Sequence, residues 1–104
     1  MAWVYLFSAA VFEIGWAIGL KYSEGFTKPL ASVLTVTAMV ASMTLLALAV
    51  RTIPIGTGYA IWTGIGAMGT AILGILLFSE PVTFWRIAFL FLILCGIVGL
   101  RFSA

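Results

Sequence analysis

The sequence contains no histidine and only one cysteine, Cys95. Without histidine the chain lacks the commonest metal ligand and the most frequent general base. With one cysteine it cannot form a disulfide within the chain. The sequence also shows no nucleophile–base pair and no phosphate-binding loop. We therefore expect no metal, no cofactor and no enzymatic activity.

Charged residues are almost as scarce. They make up 8% of the 104 residues, and 64% of the chain is hydrophobic, whereas soluble domains carry about 25% charged residues. The formal net charge of +2 rests on five basic and three acidic side chains, so nothing indicates a nucleic-acid-binding surface. This composition predicts an integral membrane protein surrounded by lipid, small enough to form one domain.

Four long apolar runs account for nearly all of the hydrophobic residues. A membrane-spanning helix needs roughly 20 apolar residues, and each run is long enough. The first run has no basic segment before it and contains a carboxylate, so we expect it to be retained rather than cleaved as a signal peptide. We predict an all-α membrane protein with a single four-helix transmembrane domain over residues 1–104, and with spans at about 2–20, 29–50, 55–78 and 82–100.

The basic residues are divided almost evenly between the two membrane faces. Four spans place Arg51 and Arg101 on the face that holds the termini, and Lys21, Lys28 and Arg86 on the other. An excess of basic residues normally fixes the orientation of a membrane protein, and here the N-terminal amine nearly removes the difference. The balance is either a chance feature of a small protein or a sign that the chain inserts both ways up and pairs as an antiparallel dimer. Such a pair would supply the two inverted halves between which many transporters hold their substrate.

A single acidic residue, Glu13, lies near the centre of the first span. An acidic residue at this depth costs about 2.5–3.5 kcal/mol on insertion scales. The chain offers no basic residue at the same depth, so the counter-ion is expected to be a proton or a cation that arrives from outside. The alternative is a carboxylate that is hydrogen-bonded inside the bundle and has no role in transport.

Aromatic side chains are positioned to accompany this carboxylate. Trp16 follows Glu13 by one helical turn, and Tyr59 and Trp62 share a face of the third span with Thr63 beside them. Aromatic faces attract cations, and a tyrosine hydroxyl can orient a carboxylate. We predict that these residues line a cation site; the alternative for Tyr59 and Trp62 is an aromatic belt at the membrane interface.

The second and third spans contain further unusual residues. Ser42 lies near the middle of an otherwise apolar run, where its hydroxyl can bond back to its own helix or adjust the surroundings of Glu13. Gly64, Gly66 and Gly69 lie in the third span, where glycine permits close packing and sliding between helices. We predict a packing or conformational role for these three glycines.

Three segments carry a resemblance to a known family: FEIGWAIGLKYSEGFT, SVLTVTAMVAS and PIGTGYAIWTGIGAMG. Over essentially its whole length the chain resembles the small multidrug resistance family of proton-coupled exporters, and within it the guanidinium exporter subtype. The resemblance implies an antiparallel, dual-topology homodimer in the bacterial inner membrane that exchanges guanidinium for protons by alternating access. It also implies that Glu13 is the central carboxylate and that Trp16, Ser42, Tyr59 and Trp62 line its site.

Other functions remain open at this point. A broad-specificity exporter of quaternary ammonium cations would use the same carboxylate with a looser pocket. A subunit of a lipid-linked sugar flippase is also a small four-helix chain, and a structural subunit would tolerate Glu13→Gln. Arg101 stands where many members of the guanidinium subtype carry lysine, and pairing with a sister chain is an alternative to a homodimer.

Overall fold

The computed structural model describes residues 1–103, which form four helices joined by short connections. Each helix is long and apolar enough to cross a membrane, which confirms the prediction of an all-α protein with four spans. A helix of about 20 residues is about 30 Å long, which is the thickness of the hydrocarbon core. The helices are α1 (Ala2–Tyr22), α2 (Pro29–Ala49), α3 (Ile55–Phe78) and α4 (Phe84–Ser103).

A tight turn joins α1 to α2 and reverses the chain. Glu24, Gly25 and Phe26 all have positive φ, between 48° and 73°. The buried Ser23 stabilises this turn, because its hydroxyl donates to the carbonyl of Leu20 at 2.9 Å and accepts the backbone N–H of Phe26 at 3.2 Å. The turn places α1 and α2 side by side in opposite directions.

The fourth helix begins at Phe84, two residues after the start of the apolar run. Thr83 accounts for the difference, since its hydroxyl oxygen accepts the backbone N–H of Arg86 at 3.1 Å. A side-chain oxygen that accepts this N–H is the usual way to begin a helix. The Arg86 side chain then pairs with Glu80 at 2.6 Å, at the end of the connection between α3 and α4.

The buried core lies where α1 meets α2 and α3. It includes Leu6, Ala9, Ala10, Leu46 and Ile61, each no more than 9% exposed. Small residues bring these helices together, because most of the buried positions of α1 are alanines.

The fourth helix is less tightly held. Within residues 1–103 its backbone approaches only that of α3, and Ile97 is its one buried residue among those described. A side-chain contact links it to α1, where the guanidinium of Arg101 lies 4.2 Å from the centre of the Trp3 ring. Most of α4 therefore faces outward, towards lipid or another protein.

Candidate functional site

Glu13 lies at the contact between α1 and α3. These two helices run in the same direction, and the Glu13 carboxyl lies against Gly66 so closely that a Cβ on Gly66 would overlap it. The oxygen Oε1 of Glu13 is buried and has no hydrogen-bond partner within the described residues. An unpaired acceptor in a helix bundle is unusual because buried polar groups are nearly always hydrogen-bonded, and it leaves Glu13 free to bind a proton or a donor from outside the chain.

Two linked hydrogen bonds hold α1 in place one turn before Glu13. The hydroxyl of Ser42 donates to the carbonyl of Ala9 at 2.7 Å, and the indole N–H of Trp62 donates to the Ser42 oxygen at 3.0 Å. In an α-helix the carbonyl of Ala9 also accepts the backbone N–H of Glu13. Ser42 therefore bonds neither to its own helix nor to Glu13, and links α1, α2 and α3 at the turn that carries the carboxylate.

Tyr59 and Trp62, the aromatic pair predicted on α3, are buried to very different extents. Trp62 is 5% exposed, whereas Tyr59 is 55% exposed. Their ring centroids are 5.6 Å apart with an interplanar angle of 48°. Thr63 is also exposed, and no hydrogen bond joins the Tyr59 hydroxyl to Glu13 among residues 1–103. The structure thus places Trp62 in the core and leaves Tyr59 and Thr63 open to a molecule beside the chain.

Trp16 lies on α1 one turn beyond Glu13 and is partly buried. Its indole N–H is buried and finds no acceptor within the described part of the chain. An unsatisfied acceptor on Glu13 and an unsatisfied donor on Trp16 therefore occur one turn apart on α1.

The three glycines predicted to have a packing role all lie at close helix contacts. A Cβ on Gly64 would lie 3.0 Å from the side chain of Ile97 in α4, and one on Gly69 would overlap the side chain of Ile14 in α1. Gly66, between them, faces Glu13. Glycine at these positions allows α3 to approach α1 and α4 more closely than a residue with a side chain would.

Four cavities of about 360 to 460 Å³ along the helices are not lined by Glu13. The largest of these four lies between α1, α3 and α4 and is lined by apolar residues such as Phe7, Ile14 and Leu94. None of these four cavities therefore encloses the carboxylate.

Sequence reasoning missed one residue near the carboxylate. Thr70 lies one turn after Gly66 on α3, and its hydroxyl is buried without a hydrogen-bond partner among the described residues. The available signal was a hydroxyl in the glycine-rich part of the third span, one turn from a predicted contact. No cluster of three or more His, Cys, Asp or Glu side chains that could hold a metal ion occurs within residues 1–103.

The fold and the buried carboxylate define a small four-span membrane protein with an ionisable group inside the bilayer. A model of the small multidrug resistance protein family matches residues 1–93, so the chain belongs to the small multidrug resistance family and is an integral protein of the inner membrane.

Relatives from several bacteria match over nearly their whole length. A protein named guanidinium exporter from Salmonella typhimurium (strain LT2) is 53% identical over 104 residues, which is all of this chain and 99% of the relative. The guanidinium exporter of Escherichia coli (strain K12) is 52% identical over 103 residues, 99% of this chain and 98% of the relative. That of Proteus vulgaris is 49% identical, with both chains fully covered.

Proposed function

We propose that this protein exports guanidinium and small guanidinyl compounds from the cell in exchange for protons. The names of its full-length relatives support guanidinium as the substrate. The observation that carries the proposal is the buried, unpaired carboxylate oxygen of Glu13. A membrane-embedded ionisable residue without a partner in its own chain is suited to binding what is transported.

The chemistry of the site suits a planar cation that donates N–H bonds. Guanidinium presents a fork of N–H groups that matches the two oxygens of a carboxylate, as an arginine head does. Tyr59 and Trp62 offer aromatic faces to the cation, and Trp16 lies one turn from the carboxylate. Protons and guanidinium compete for the same oxygens of Glu13, so that binding of one releases the other.

An antiparallel homodimer would complete this site. In one chain Glu13 lines none of the four cavities, and Tyr59 and Thr63 are exposed. A second copy of opposite orientation would cover this surface and bring a second Glu13 to the middle of the membrane. The near-equal division of basic residues between the two faces supports insertion in both orientations. With two carboxylates, up to two protons could exchange for one guanidinium.

Alternating access requires the helices around Glu13 to adopt two arrangements. The contacts of Gly64, Gly66 and Gly69 consist of van der Waals packing against neighbouring side chains. Such contacts can shift without the loss of a hydrogen bond. Repacking of α3 at these glycines would open the site first to one side of the membrane and then to the other.

Transport in proteoliposomes tests the proposal directly. Vesicles loaded with guanidinium and diluted into guanidinium-free buffer should take up protons as guanidinium leaves. Glu13→Gln should abolish this coupled uptake, because an amide can neither release a proton nor carry a charge. The matched control is Glu24→Gln, since Glu24 lies in an exposed ion pair with Lys28 at 3.2 Å in the turn between α1 and α2. Coupled transport by the Glu13→Gln variant would overturn the assignment.

The choice of substrate separates guanidinium export from the quaternary ammonium alternative. A tetra-alkyl ammonium ion has no N–H group and cannot satisfy the free oxygen of Glu13. We expect guanidinium to drive proton uptake in the same vesicles at concentrations where tetramethylammonium does not. Equal responses to the two cations would favour the broad-specificity exporter.

The antiparallel dimer has its own test. Lysines added to one membrane face should fix the orientation of the chain and reduce transport. Co-expression with a variant that carries lysines on the opposite face should restore it. Full activity of a chain held in one orientation would exclude the antiparallel arrangement.

A further inference from the structure

The largest of the four cavities is an apolar groove between α1 and α4. Its volume is about 460 Å³, within the range of about 300–1,000 Å³ that is usual for ligand pockets. Phe7 of α1, Gly69 of α3 and Val98 of α4 are among the residues that line it. The backbone of α4 approaches only that of α3 within residues 1–103, so the space between α1 and α4, here called the α1–α4 groove, is left open by the chain.

The α1–α4 groove is accessible from the side of the molecule. Phe7, Ile72 and Val98 line it, and their exposed fractions lie between 41% and 47%. All three residues belong to helices that are long and apolar enough to span a membrane. A molecule that enters the groove from the side must therefore come from within the bilayer.

The groove begins at the level of the lipid headgroups. Of the described residues that line it, only Arg101 is charged, and Arg101 lies close to the end of α4 at Ser103. From Arg101 to Leu94 the groove follows α4 inward for about 10 Å, at a rise of about 1.5 Å per residue. Half of the hydrocarbon core is about 15 Å thick. The groove thus runs through most of one leaflet, as the acyl chain of a phospholipid does.

The guanidinium of Arg101 is suited to bind a phosphate at this end of the groove. It lies over the ring of Trp3, 4.2 Å from the ring centre, and it forms no ion pair within residues 1–103. The N–H donors of a guanidinium lie in its plane. A guanidinium that stacks on an aromatic ring can therefore still present two parallel N–H groups to the oxygens of a phosphate.

The charges of this membrane face also favour an anionic headgroup. The acidic residues Glu24 and Glu80 lie in the connections at the opposite face, where each is paired with a basic side chain. Arg51 and Arg101, on the face that holds the termini, have no such partner within residues 1–103. The charged side chains described at this face are therefore all positive, and basic pockets between membrane helices bind anionic lipid headgroups.

We propose that the α1–α4 groove binds one anionic phospholipid, with an acyl chain between α1 and α4 and the phosphate on the guanidinium of Arg101. A zwitterionic phospholipid has the same chains, but the positive group of its headgroup weakens the attraction to Arg101. The bound lipid supplies packing between two helices whose backbones do not approach each other within residues 1–103. Glu13 does not line the groove, so the proposal does not depend on guanidinium exchange.

Lipid binding measured by native mass spectrometry tests the role of Arg101. The purified protein in detergent is titrated with dioleoyl phosphatidylglycerol and, separately, with dioleoyl phosphatidylethanolamine, so that only the headgroup differs. The wild-type chain should bind phosphatidylglycerol about fivefold more tightly, which corresponds to about 1 kcal/mol for one basic residue. Arg101→Gln should lose this preference, and Arg101→Lys should keep it.

The matched control is Arg51→Gln, which removes the same charge from the same membrane face. Arg51 lines a different cavity, beside Met1 and Tyr5, and its replacement should leave the preference unchanged. An equal loss in Arg51→Gln and Arg101→Gln would assign the attraction to the whole face and overturn the site. A wild-type chain without any preference for phosphatidylglycerol would overturn it as well.

A larger side chain in the groove tests the position of the acyl chain. Val98→Trp should occupy the groove and weaken the binding of both lipids at least about tenfold. Val11→Trp makes the same change at a residue of α1 that is 64% exposed and lies outside the groove, and it should bind both lipids as the wild type does. Equal lipid binding by the two variants would contradict the proposal. If Val98→Trp instead weakened only the association between copies of the chain, the groove would hold a second copy and not a lipid.

Discussion

Replacement of Ser42 by alanine tests the two linked hydrogen bonds that hold α1 in place beside Glu13. The change removes a donor to the Ala9 carbonyl and the acceptor of the Trp62 indole, and Ser42 is fully buried. Within residues 1–103 this is the one hydrogen bond that the indole makes. The variant therefore leaves a buried N–H group without a partner, in addition to the loss of two hydrogen bonds.

The expected cost follows from these contacts. A buried donor left unsatisfied costs about 1–3 kcal/mol. Hydrogen bonds between membrane helices, measured in double-mutant cycles, average about 0.6 kcal/mol with a maximum of about 1.7. We therefore expect Ser42→Ala to lower the free energy of unfolding by about 1–2 kcal/mol. Guanidinium binding should weaken as well, because the Ala9 carbonyl also accepts the backbone N–H of Glu13.

Unfolding by SDS titration in mixed micelles measures the change in stability. Thr37→Val is the matched control, since it deletes an exposed hydroxyl of the same helix that bonds only to its own backbone. Trp62→Phe removes the other partner of the same bond, so the double variant should be more stable than the sum of the single effects predicts. The reasoning would be refuted if Ser42→Ala were as stable as Thr37→Val. It would also be refuted if the losses of stability in Ser42→Ala and Trp62→Phe simply added in the double variant.

Three further outcomes follow from the structure. Gly66→Ala places a methyl group on the Glu13 carboxyl and should weaken guanidinium binding, measured by calorimetry, by at least about tenfold. The control is Gly15→Ala, whose added methyl group meets nothing within 4 Å and should leave binding unchanged. Equal effects of the two substitutions would contradict the contact between Gly66 and Glu13. The apparent affinity for guanidinium should fall as the pH falls, because protonation removes the negative charge that holds the cation, and a flat profile would argue against competition at Glu13. Arg101→Lys should keep most of the contact with the Trp3 ring, and Arg101→Leu should lose about 0.5–1 kcal/mol of stability; identical unfolding curves for the two variants would show that the contact contributes nothing.

The four spans could be predicted from composition because lipid leaves the chain few choices. Backbone groups inside a bilayer must be paired within the segment, so a long apolar run becomes a helix. The start of α4 was harder to predict, since the apolar run begins at Val82, two residues before the helix. The deciding contact is the hydrogen bond that the hydroxyl oxygen of Thr83 accepts from the backbone N–H of Arg86, and a threonine two residues after Pro81 was the available signal.

The sequence allowed residues of a site to be proposed, but it did not give their contacts. Glu13 stood out because a charge in an apolar run is costly, and that argument needs no neighbour. The partners of Ser42 could not be derived, because they depend on which turns of α1 and α3 face α2. The hydroxyl of Ser42 does not bond to its own helix, and the carbonyl of Ala9, its actual acceptor, has no signature in a sequence.

The two halves of α3 are held by different forces, and this bears on how the proposed alternating access could work. The first half is anchored to α2 and α1 through the hydrogen bond of Trp62 to Ser42. From Gly64 to Gly69, the glycines of α3 pack against the side chains of Glu13, Ile14 and Ile97. Hydrogen bonds have one good geometry, whereas glycine surfaces tolerate small displacements. Bending between Trp62 and Gly66 would therefore move the second half of α3, together with α4, while α1, α2 and the first half of α3 keep their contacts around the carboxylate.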